Sequence, residues 1–111
     1  MKYFKFEPMT TDLNQLYDEA IHLPELYYTN RDEFERLLGH IESGVYDLLM
    51  NNSEHLAWLL YRIDVREKDS KKAFEESDTH KIASALTQLI VQRQLEKFES
   101  RKQNPPIGGD Y

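Results

Sequence analysis

The sequence predicts an all-α fold: a small four- to five-helix bundle with a long C-terminal helix and a flexible C-terminal tail. Three observations carry this expectation. Apolar residues recur at i, i+3, i+4 and i+7 along most of the chain, which is the period of an amphipathic helix. Capping residues stand in front of the periodic segments, and short turns part them. Nothing that breaks a helix occurs between Thr79 and Lys102, a stretch preceded by Asp78 as N-cap. Residues 1–103 read as a single helical domain, with 1–9 as an extended N-terminal arm and 104–111 as a disordered tail.

The arm carries Tyr3, Phe4 and Phe6 among charged neighbours, suited to a strand or to an apolar groove. Thr10 or Thr11 then caps a helix whose Leu13, Leu16, Tyr17, Ala20 and Ile21 share one face, and Pro24 is expected to end it. Tyr27 and Tyr28 fall in the following loop, one ring capping the bundle and the other lying over Pro24. Asn30 with Glu33 marks the next start. Phe34, Leu37, Leu38, Ile41, Val45, Leu48 and Leu49 keep one phase, and this unbroken periodicity favours one helix to about Met50 despite the helix-interior cost of Gly44.

After a turn at Asn51–Ser53, a third helix has Leu56, Leu59, Leu60 and Ile63 on one face, with Trp58 and Tyr61 on the other. A helix apolar on both sides belongs at the centre of a bundle, so both aromatic rings read as core. Beyond it the phase fails at Glu67, Ser70 and Lys71. Either the helix continues solvated, or Asp64 and Glu67 recap a separate short helix with Val65, Ala73 and Phe74 inward. In the last helix Ile82, Ala83, Leu86, Leu89 and Ile90 cluster on one side. Val91, Leu95 and Phe98 fall on roughly the opposite one, at ~100° per residue. This helix would be ~36 Å long and the first about half that, leaving an overhang that carries the second stripe.

Composition limits the function classes. The chain has 111 residues, no cysteine and a mean hydropathy of -0.73, so disulfides and thiolate chemistry are excluded. Residues 1–60 hold four Lys/Arg against eleven Asp/Glu, whereas 61–111 hold ten against nine. This acidic balance opposes nucleic acid as a partner. The segment Met1 to Met9, interrupted by Glu7 and Pro8, does not read as a signal peptide, and no apolar run reaches the ~18 residues of a membrane span. A cytoplasmic protein without membrane or nucleic-acid partner is the expectation, and the sequence identifies no small-molecule ligand.

Candidate chemistry is sparse. Glu19-Ala-Ile-His22 has the Glu-x-x-His spacing of di-iron helices, but it occurs once and lies well around the helix from the apolar stripe, facing water. His40, His55 and His80 form no helical His pair. No Gly-rich phosphate loop or nucleophile elbow is present. Arg93, Lys97 and Arg101 read as a solvated face or as ion pairs to the acidic first half. No catalytic, cofactor-binding or metal residue is therefore assigned.

The functional expectation is a non-enzymatic interaction or structural module that self-associates through its last helix. Val91, Leu95 and Phe98 would bind a second subunit or a client helix, the alternative being cover within the chain by Phe4 and Phe6 of the arm or by Val65 and Phe74 of the 65–76 segment. Burying such side chains contributes ~1.5–3 kcal/mol each before association entropy is subtracted. The alternative is a small metal-dependent or acid–base enzyme using Glu19, His22 and a histidine from another helix.

Overall fold

The computed structural model describes residues 12–103, which form five α-helices and, among the described residues, no strand. They are α1 (Leu13–Thr29), α2 (Arg31–Asn51), α3 (Ser53–Ile63), α4 (Glu67–Ala73) and α5 (Thr79–Gln103). The all-α bundle read from periodicity is the fold. The arm at 1–9 and the tail at 104–111 lie outside the described residues, and the N-cap of α1 is Asp12 instead of Thr10 or Thr11.

Local chemistry sets the helix starts. Asp12 caps α1, its carboxylate accepting from the amides of Asn14 and Gln15. Asn30 and Asn52 do the same for Glu33 and His55, and Asp78 for Lys81. The turns between α1 and α2 and between α2 and α3 are each a single asparagine, which at once closes one helix and opens the next.

Pro24 does not end α1. The helix runs on to Thr29, and Tyr27 and Tyr28 sit on its last turns instead of in a loop. Proline removes one helical hydrogen bond and disfavours the preceding turn. Here Leu23 and Pro24 are both buried, and Leu26 and Tyr27 pack on the core beyond them. Tertiary burial on both sides of the proline outweighs the local penalty. Gly44, by contrast, is simply buried within an uninterrupted α2.

α5 is the central helix, packed against α1, α2, α3 and α4. It lies alongside α1 so that Tyr28 meets Phe98, while the C-terminal part of α2 meets its start through the stacked rings of Tyr46 and His80. Its two apolar stripes are not separate. Thr87 and Gln94, which lie between them on the helical wheel, are both buried, so Ala83, Leu86, Ile90 and Val91 share one broad arc with them. The Thr87 hydroxyl donates to the Ala83 carbonyl, which removes the cost of burying it.

α3 is peripheral, which corrects the position expected for it. Leu56, Leu59, Leu60 and Ile63 are buried, but Trp58 is 37% and Tyr61 82% exposed. The helix stops at Asp64, whose φ of 69° is left-handed. The amides of Asp64 and Val65 donate back to the carbonyls of Tyr61 and Leu60, forming a Schellman closure. The separate short helix is thus realised, but Asp64 closes α3 instead of recapping α4, whose N-cap is Arg66 with no side-chain capping hydrogen bond. Ala73 is buried in it and Val65 packs on the core, whereas Phe74, expected inward, is 43% exposed.

Candidate functional site

The Val91–Leu95–Phe98 stripe is partly used within the chain. Val91 is 8% exposed, and Leu95 packs at the edge of the core. Phe98 is stacked on Tyr28, their ring centroids 5.6 Å apart and their planes 20° apart. The Tyr28 hydroxyl donates to Glu99, and Lys102 lies 5.1 Å from the Tyr28 ring and 5.7 Å from that of Phe98. Hydrogen bonding to the Glu99 carboxylate holds the Tyr28 phenol above its ordinary range. Because α1 continues past Pro24, the α5 overhang is shorter than expected and its outermost ring has an intrachain partner.

Beside that contact, an open groove of about 630 Å³ runs along α5, and every described residue lining it belongs to that helix. Val91 and Leu95 supply its apolar floor, with Gln88, Gln92, Glu96 and Glu99 as polar neighbours. Spacing alone had therefore singled out two of the groove's lining residues. Phe98 faces the α1 side instead.

On the basic side of α5, Arg101 is exposed, but Arg93 and Lys97 are half-buried and pair outside the first sixty residues. Arg93 donates through Nε to the Asp64 carbonyl at 3.0 Å and pairs with the Asp64 carboxylate at 2.8 Å. Lys97 donates to the Ile63 carbonyl at 3.0 Å. These two cations thus satisfy the last carbonyls of α3, where the helix dipole is negative. The Arg93 hydrogen bond and charge hold the Asp64 carboxyl below the usual aspartate range. Burial, and then the Arg93 charge, push the Lys97 ammonium down.

Glu19 and His22 do not converge. The Glu19 carboxylate accepts from Gln15 and meets the His40 ring across α1 and α2 at 2.9 Å. His22 turns to the Asp18 carbonyl at 2.8 Å. His40 is thus the histidine from another helix that joins Glu19, and His22 stays apart. Among the described residues, no group of three or more His, Asp or Glu side chains is placed to hold a metal ion.

The surface that sequence reasoning missed lies on α3 and α4. Trp58 packs edge-on to Tyr17, and Arg62 lies over both rings. Tyr61 and Phe74 flank a slot of about 410 Å³ between the two helices, floored by Leu56, Leu60 and Val65. The apolar circumference of α3 carries the signal, but periodicity does not say which of its two sides meets the core.

No helix among the described residues is long and apolar enough to cross a membrane. No protein-family model matches the chain, and no curated protein or solved structure matches it either.

Proposed function

We propose that this chain is a non-enzymatic helical interaction module that self-associates through α5, with Val91 and Leu95 at the centre of the contact and Phe98, stacked on Tyr28, beside it. The observation that supports this reading is the open groove along α5, whose floor is apolar. Apolar surface of this kind, edged by polar groups, suits a helix from another subunit. Gln88, Gln92 and Glu99 beside the floor supply the hydrogen-bonding rim of such an interface. A cytoplasmic location accords with the absence of cysteine.

Because the chain has no cysteine, the contact can be tested by single introductions. Gln88→Cys, Gln92→Cys and Leu95→Cys, made one at a time, should include a variant that forms a disulfide-linked dimer under mild oxidation. Met50→Cys, exposed near the end of α2, is the control. If none of the three links faster than the control, the α5 reading fails.

A further inference from the structure

α3 is apolar around most of its circumference yet lies at the edge of the bundle, and that mismatch points outward. Leu56, Leu59, Leu60 and Ile63 occupy its core side. Ala57, Trp58 and Tyr61 occupy the side away from it and are exposed. α3 and α4 both pack on α5 but not on each other, which leaves the slot between them open. A helix that is hydrophobic all round is ordinarily enclosed. Tyrosine and tryptophan at such a surface are the residues that dominate binding energy in interfaces.

We propose that the outward face of α3 is a second self-association surface, on which α3 of another copy lies antiparallel about a two-fold axis near Trp58. This contact is separate from the one through α5. A two-fold interface requires one patch to carry both the projection and the recess that receives it. Here Tyr61 projects, while small Ala57 and the apolar slot beside it recede.

Charge selects the antiparallel arrangement. Glu54 and Arg62 lie four residues before and four after Trp58, so they are ~12 Å apart by helical rise. Rotation about an axis at Trp58 sets each Glu54 opposite Arg62 of the other copy. A parallel pairing sets Glu54 against Glu54, which is repulsive. Arg62 is already held on this flank, its guanidinium 4.8 Å from the Tyr17 ring centroid and 5.4 Å from that of Trp58. The groups that would form the contact are therefore largely in place.

Trp58 is the one tryptophan in the chain, so its emission reports on this face directly. In the full-length protein, emission should move to shorter wavelength as concentration rises. Glu54→Arg and Arg62→Glu should each displace that transition to at least about tenfold higher concentration. The double exchange, Glu54→Arg with Arg62→Glu, should bring it back. Tyr61→Glu, at a position exposed enough to leave the helical spectrum unchanged, should abolish it. Leu95→Glu should leave the Trp58 transition in place, and Tyr61→Glu should leave the α5 crosslink in place, so either contact can fail without the other. Emission independent of concentration, a double exchange without recovery, or a shift seen only on adding a different protein would each overturn the pairing of α3 faces.

Discussion

Tyr28 and Phe98, seventy positions apart in sequence, stack at 5.6 Å and tie the last turns of α1 to the last turns of α5. This contact exists because α1 passes through Pro24 without stopping. It has an energetic consequence. Phe98→Ala should cost about 1–3 kcal/mol in denaturant unfolding. In a Tyr28→Ala background the same substitution should cost measurably less, since the stacking partner is already gone. Equal costs in the two backgrounds would show that the rings do not support one another.

A second link joins Arg93 to Asp64 at the end of α3. Because Arg93 lowers the Asp64 carboxyl, the folded chain holds that proton less tightly than the unfolded chain does. The resulting stability is present above the ordinary aspartate value and is lost as pH falls through the lower, folded value. Asp64→Asn keeps a residue that tolerates the left-handed conformation and keeps the main-chain carbonyl that accepts from Arg93. The variant should be less stable than wild type at neutral pH, and the gap should close below the usual aspartate range. A gap that stays constant with pH would remove the charge from the explanation.

Gly39 lies in the interior of α2, exposed, where an added Cβ would meet nothing within 4 Å. Glycine in a helix interior costs about 1 kcal/mol relative to alanine. Gly39→Ala should therefore raise stability by roughly that amount, read as a higher urea midpoint at unchanged slope. No gain would mean that the conformational freedom of glycine is used at this position.

Thr87 is fully buried, and its hydroxyl is satisfied by its own helix. Thr87→Val keeps the branched shape and removes the polar atom, so stability should change by less than about 1 kcal/mol. Thr87→Asp should prevent folding at neutral pH, because it places an unpaired charge in the same space. Thermal unfolding of the two variants distinguishes a packed position from a tolerant one.

What could be read in the sequence was local. Asn30 and Asp78 cap the helices expected of them, and the apolar phase from Phe34 to Leu49 describes the buried face of α2. Pro24 misled because its penalty is local, whereas the burial of Leu23 and the packing of Leu26 that offset it are tertiary. Thr87 and Gln94 are polar yet buried between the two apolar clusters, which is why one buried arc reads as two stripes in the sequence. Of that second stripe, Val91 and Leu95 line an open groove, but the ring over Phe98 comes from the part of α1 beyond Pro24, where the sequence predicts a loop. The outward rings of α3 were misplaced because amphipathicity cannot say which of two apolar faces meets the core.

The central claim is that α5 joins one chain to another through the groove floored by Val91 and Leu95. Sedimentation equilibrium of the wild-type chain and of Leu95→Glu tests it most directly. Phe98 is left unchanged so that its contact with Tyr28 stays intact. The wild type should sediment with a mass above that of one chain, and Leu95→Glu should lose the α5 contact while keeping its helical spectrum. An assembly mass that is the same with leucine or glutamate at this position would contradict it.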